Sequence, residues 1–109
     1  MSVTIGPRLE LIQLPRRPDL GDYDWFDLES AGVQVGKARC RITPERFTVF
    51  SIMVYPEYEG NGYARQVIGH FQREYPLIVA DRVRHSARAF WIKVGFTADT
   101  IDEYVWRRS

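Results

Sequence analysis

The chain has a single cysteine, Cys40, among 109 residues. No intrachain disulfide can form, and no cysteine framework exists to hold a metal. No set of His, Cys and Asp residues shows metal-ligand spacing either. This cysteine usage fits a reducing compartment. An excess of one charge is also lacking. The formal net charge is +1, so no global basic field points to nucleic acid, and none is expected as a partner. No apolar run is long enough to cross a bilayer. The opening MSVTIGPRLE has no basic stretch followed by a long apolar one, so no signal peptide is expected. Internal repeats and low-complexity tracts are absent. The expectation is one domain spanning residues 1–109, cytoplasmic, with no membrane partner.

What is present is ordinary for a soluble globular fold: 45% hydrophobic and 27% charged residues. Three Trp, six Tyr and six Phe supply core-filling surface.

Taken in order, Arg8 to Leu14 alternates imperfectly and reads as a first strand. Pro15 to Gly21 is a turn, since two prolines and a glycine oppose regular structure. Tyr23 to Glu29 is an aromatic strand. Ser30-Ala31-Gly32 connects it as a hairpin to Val33 to Ile42. In that strand Val33 and Val35 share one parity, while Ala38, Cys40 and Ile42 share the other. A bulge at Gly36 explains the switch. Phe47 to Val54 is apolar on both parities, the pattern of a central strand covered on both faces.

A helix is expected over Asn61 to Tyr75, with Tyr63, Val67, Phe71 and Tyr75 four apart and Pro76 ending it. Leu77 to Ala80 is a short buried strand. Strand, helix and strand of these lengths make a right-handed crossover, so the two strands should be parallel. Ala87, Phe90, Trp91 and Val94 form one face of a second helix, Ser86 to Val94, capped by Gly95. Phe96 onward and Glu103 to Arg107 close the chain as two short strands. The fold class is α+β, with a mixed, mostly antiparallel sheet of about six or seven strands.

The chemistry concentrates between Val54 and Ile68. Gly60 and Gly62 remove side chains where a ligand would approach. Asn61, Gly62, Tyr63, Ala64 and Arg65 would turn backbone N–H groups toward it, which suits an anion and above all a phosphate. Arg65 adds positive charge, whereas Glu57 and Glu59 oppose an anion unless turned outward. A lone G-x-G is more simply a strand-to-helix turn with glycines for geometry.

The surroundings sharpen this. Val-x-Pro, an aromatic residue, then Glu59-Gly60-Asn61-Gly62-Tyr63-Ala64 opening a helix resembles motif A of the GNAT N-acetyltransferase superfamily. Downstream, Ala87-Arg88-Ala89-Phe90-Trp91-Ile92-Lys93-Val94-Gly95-Phe96 resembles the family's motif B. One helix and one short strand separate the two, as in the family. The resemblance covers Phe47 to Phe96.

The resemblance implies a GNAT-like sheet with a splayed parallel strand pair and helices on its faces. It also implies an acetyl-CoA (coenzyme A) site. Pantetheine would bond to the backbone of Ile52, Met53 and Val54, and pyrophosphate would sit on Gly60 to Arg65. The second helix would place Ala87 and Phe90 near the pantetheine. Arg84 falls where motif B usually opens with Asn. The implied activity is transfer of an acetyl group to a primary amine of a protein or small molecule. The alternative is a GNAT-fold protein that binds CoA or a protein partner without catalysis.

Several positions depart from the family pattern. Its Gln/Arg is Glu59 here, and its leaving-group Tyr is Trp91, whose indole N–H is no acid near neutral pH. The strand position that carries a Glu base in some members is about Thr48, so catalytic residues are not assigned. Asp81, His85 and Glu57 are candidate proton acceptors, each more simply a solvated loop charge. Arg82, Arg84, His85 and Arg88 form a basic cluster that could hold the 3′-phosphate of CoA or an acidic partner, or be ordinary polar surface. His70 reads as a surface or boundary residue and Cys40 as a buried one. The family's two helices between its first two strands are replaced by Pro15 to Asp22. The acceptor side is therefore open or completed by another chain, which allows a homodimer.

Overall fold

The computed structural model describes residues 1–16, 21 and 23–109. They form the strands β1 (Ser2–Thr4), β2 (Leu9–Gln13), β3 (Asp24–Ser30), β4 (Val33–Ile42), β5 (Phe47–Val54), β6 (Leu77–Ala80), β7 (Thr97–Ala98) and β8 (Tyr104–Arg107), with helices α1 (Tyr63–Glu74) and α2 (Arg88–Lys93). One sheet holds all eight strands in the order β1-β2-β3-β4-β5-β6-β8-β7. Only β5 and β6 run parallel; the other neighbours are antiparallel. The α+β class and the parallel crossover are as expected.

The strand count exceeds the expected six or seven. Ser2–Thr4 is too short to show an alternation, and its pairing with β2 makes it a strand. The turn read at Pro15 to Gly21, and the shortened connection to Asp22, lie partly outside the described residues.

Two bulges shape the sheet beside the site. Leu28 pairs with Gly36 and Glu29 with Gln34, leaving Val35 as the extra residue of β4. The bulge expected at Gly36 thus falls one residue earlier. On β5, Arg39 pairs with Ser51 and Cys40 with Val49, leaving Phe50 as the extra residue. At that point β5 leaves β6: their pairing covers only Phe47–Val49 against Ile78–Ala80. The parallel pair is splayed beyond it.

Both helices pack on one face. Phe71 of α1 stacks on Phe47 of β5, with ring centroids 3.7 Å apart. Phe47 is level with Ile78, which is level with Trp106, and the Gly95 position just after α2 lies against the Trp106 indole. Gln72 of α1 donates to the Val94 carbonyl at 2.9 Å, tying the helices together. Val67, Ile68 and Phe71 join Phe26, Leu28, Cys40 and Val49 in one buried core. The Tyr75 hydroxyl donates to the Thr43 carbonyl at 2.7 Å, and Arg108 donates to the Gln72 and Arg73 carbonyls, holding the end of α1.

The opposite face carries Trp25, Arg39 and Phe50, and no helix among the described residues covers it. This corrects the expectation that β5 is covered on both faces. Phe47 and Val49 are buried, but Phe50 to Ile52 and Val54 are half-buried, and Met53 is exposed. Apolar parity alone cannot tell a covered second face from an open one. The second helix is also shorter than read: His85–Ala87 is a 3-10 turn, and regular α-helix begins at Arg88.

Candidate functional site

The site is built at the gap between β5 and β6. The Tyr55 N–H donates to the Val35 carbonyl on β4 at 2.9 Å. Backbone direction alternates along a strand, so the Val54 N–H points away from β4 and toward the gap. The Met53 carbonyl turns to β4, close against Gly36. Beyond Val49 the gap-facing edge of β5 has no strand partner.

After β5 a 3-10 turn, Pro56–Tyr58, leads into the glycines. Gly60 (φ 88) and Gly62 (φ 75) are both left-handed, the conformation glycine adopts without strain. A Cβ on either would meet nothing within 4 Å, so the space in front of the turn is open. Gly62 caps α1 without a side-chain hydrogen bond, and no acidic residue occupies the first turn. The first helical bond of α1 runs from the Gln66 N–H to the Gly62 carbonyl at 3.0 Å. The Tyr63, Ala64 and Arg65 amides therefore precede the helical ladder and carry the positive end of its dipole. Asn61 turns back, donating from Nδ2 to the Tyr58 carbonyl at 2.8 Å, and so shapes the loop.

A cleft of about 370 Å³ lies in front of this turn, lined by Val54, Tyr58, Glu59, Gly60, Gly62, Tyr63, Ala64, Arg65, Phe90, Lys93 and Val94. That volume is in the range of small-molecule sites. Seven of the twelve expected cofactor residues line it: Val54, Gly60, Gly62, Tyr63, Ala64, Arg65 and Phe90. The other five do not. Ile52 packs against the core, Met53 is exposed, and Asn61 braces the loop. Arg84 is exposed ahead of the 3-10 turn, and Ala87 caps α2 against the core.

Tyr58, Lys93 and Val94 were given no site role from the sequence. Lys93 and Val94 lie three and four residues beyond Phe90, on its side of the helix, a spacing that could have found them. Arg65 and Lys93 bring two cations to the cleft, against one carboxylate, Glu59.

Trp91 is 4% exposed, with its ring edge-to-face on Phe96 at 4.9 Å and on Phe90 at 5.1 Å. It fills core. Of the expected basic cluster, Arg82 lies over Phe50, while Arg88 bonds the Tyr104 hydroxyl at 2.8 Å and stands 3.2 Å from His85 Nδ1. Of the candidate proton acceptors, Asp81 accepts from the Tyr23 hydroxyl at 2.8 Å, and Glu57 is exposed. Cys40 is fully buried, and burial, with the nearby Asp24, pushes its thiol up to about 12. The described residues hold no cluster of three or more His, Cys, Asp or Glu suited to a metal ion. Among them, no helix is long and apolar enough to cross a membrane.

No protein-family model and no curated protein matches the sequence. Solved structures do match the fold. The acetyl transferase from Salmonella typhimurium that modifies the N-terminal serine of 50S ribosomal subunit protein L7/L12 aligns over 100% of both chains, with a TM-score of 0.67 and 10% identity. A GNAT family acetyltransferase from Elizabethkingia anophelis, with acetyl-CoA bound, aligns over 94% of this chain and 100% of its own, with a TM-score of 0.63 and 9% identity. YhhK from E. coli, bound to coenzyme A and named as an N-acetyl transferase, aligns over 93% and 99%, with a TM-score of 0.69 and 12% identity. The chain has the GNAT fold. At these identities the likeness is one of fold.

Proposed function

We propose that the chain moves an acetyl group from acetyl-CoA to a primary amine of a protein or small molecule. The observation that carries this reading is the bare first turn of α1, opening on the cleft beside a splayed strand pair. The residues present fit the cofactor. The Tyr63, Ala64 and Arg65 amides and the Arg65 side chain would hold the pyrophosphate, and open space before Gly60 and Gly62 leaves room for it. The gap-facing edge of β5, with Val54 and Phe90, would take the pantetheine. The Elizabethkingia structure of the same fold holds acetyl-CoA.

When bound, acetyl-CoA would supply an activated thioester. The chain's own part is to position and polarise. The Ile52 and Val54 N–H groups are both aimed into the gap by the strand's alternation, where they would stabilise negative charge developing on an acyl oxygen. Holding a neutral amine close supplies much of the remaining rate enhancement. β5 carries no carboxylate, so any group that takes the amine's proton lies off that strand.

A second reading is a GNAT-fold protein that binds CoA or a protein partner without catalysis. Two observations favour it: Trp91 is committed to the core, and β5 lacks a carboxylate. Calorimetric titration with acetyl-CoA, followed by thiol release over a panel of primary amines, separates the two. Binding with turnover supports the first reading. Binding without turnover on any amine supports the second. Absence of binding overturns the transferase reading and a CoA-binding role with it.

A further inference from the structure

Two side chains of opposite charge meet at the apex of the gap, on the face that no helix of the described residues covers. Asp81 directly follows β6, and its N–H donates to the Val49 carbonyl at 2.7 Å, where β5 and β6 part. Its carboxylate accepts from the Tyr23 hydroxyl at 2.8 Å. Tyr23 packs on Phe50, the bulged residue of β5, with ring centroids 5.3 Å apart. Arg82 lays its guanidinium over the same ring at 5.3 Å, and its Nε lies 3.8 Å from Asp81 Oδ2.

Consecutive residues of an extended chain point to opposite sides. Asp81 and Arg82 converge instead, because Arg82 adopts φ 52. Left-handed backbone is uncommon outside glycine, and such residues gather at binding sites. The strained turn presents both charges together. At 3.8 Å the pair is too long for a tight charge-assisted hydrogen bond, so each group keeps hydrogen-bonding capacity for a third partner. Both are within reach of solvent: the Asp81 side chain is 25% exposed and that of Arg82 67%. Further charges stand nearby among the described residues. Arg39 also lies over Phe50, and Glu103 is close enough to feel the charge of Asp81.

We infer that Asp81 and Arg82 receive the acceptor, and that the acceptor is an amino-acid-like zwitterion. Its ammonium meets Asp81 and its carboxylate meets Arg82. This rests on the acetyl-transfer reading, which puts the cofactor on the helix-bearing face of the gap and leaves the other face to the acceptor.

The test compares phenylalanine with phenethylamine, the same amine without the carboxylate. Each is titrated into the full chain while the backbone amide resonances of Asp81 and Arg82 are followed by NMR. Phenylalanine is expected to shift both resonances and to bind about fivefold tighter, the upper end of what an exposed ion pair contributes. Arg82→Gln should remove that advantage, and Asp81→Asn should weaken both ligands. Equal binding of the two ligands to the wild type, or unmoved Asp81 and Arg82 resonances, overturns the inference. CoA alone is titrated in parallel, read at the amides of Gly60 to Arg65. Shifts with CoA but not with phenylalanine overturn the acceptor assignment and leave the transferase reading standing. Shifts with phenylalanine but not with CoA overturn the transferase reading and support the zwitterion site.

Discussion

Gly36 on β4 and Met53 on β5 approach so closely that a Cβ on Gly36 would overlap the Met53 carbonyl oxygen. The obstacle is backbone, so no side-chain rotation relieves it. This contact, one residue after the Val35 bulge, sets the spacing of β4 and β5 beside the gap-facing Val54. Gly36→Ala must push the strands apart, at a cost of about 1–3 kcal/mol as for other overpacked sites. Chemical denaturation measures it, and an unchanged midpoint would mean that the strands are not this close.

Trp91 and Phe96 close the end of α2. The Gly95 N–H donates to the Ile92 carbonyl at 3.0 Å and the Phe96 N–H to the Trp91 carbonyl at 2.9 Å, a Schellman motif with the two rings in contact across it. Trp91→Tyr introduces the residue type of the GNAT motif that this stretch resembles, but it sets a hydroxyl in a nearly closed apolar site. Stability should fall by about 1–3 kcal/mol, with no gain in the rate of thiol release. A faster variant would show that position 91 reaches the reacting atoms.

Cys40 should be inert in the folded chain. Burial, reinforced by Asp24, raises its thiol to about 12, so the reactive thiolate is scarce at pH 8. An aromatic disulfide reagent should label the native protein only as fast as it unfolds, and the denatured protein at once. Rapid native labelling would contradict the buried placement on β4.

His70 makes stability depend on pH. Burial lowers its pKa below the usual 6.5; Glu74 opposes the shift and Arg73 adds to it. The depressed value means that the unfolded chain takes up the proton first. This contribution to stability is therefore intact above pH 6.5 and is lost as pH falls through the folded-state value. Thermal melts between pH 7.5 and 5.5 should show the wild type losing more stability than His70→Gln. Parallel losses would place His70 in solvent.

Patterns within one element were legible in the sequence. The bounds of β4, β5 and β6, the helix after Gly62 and the Gly95 cap all follow from periodicity and local backbone chemistry. So does the glycine turn that lines the cleft. What depends on partners far along the chain was not legible. β1 exists only through its pairing with β2, and Phe50 becomes a bulge only through the register of β4 on β5. Whether the Phe50 side of β5 is covered depends on which connections carry helices. The convergence of Asp81 and Arg82 arises from a left-handed arginine, which no glycine announced. Arg84 and Ala87 were placed near the cofactor by resemblance to motif B. The 3-10 turn at His85–Ala87 sets them outside the lining of the cleft.

The central claim is that the first turn of α1 holds the pyrophosphate of acetyl-CoA. Arg65 is exposed at the third position of that helix. A Glu there complements the helix dipole, by about 0.3–1 kcal/mol, while placing negative charge against the bound phosphate. The decisive measurement is the acetyl-CoA affinity of Arg65→Glu beside its melting temperature. The account predicts a melting temperature equal to or above that of the wild type and an affinity at least about tenfold weaker, the effect of about 1.4 kcal/mol. Wild-type affinity in a folded Arg65→Glu variant would contradict it.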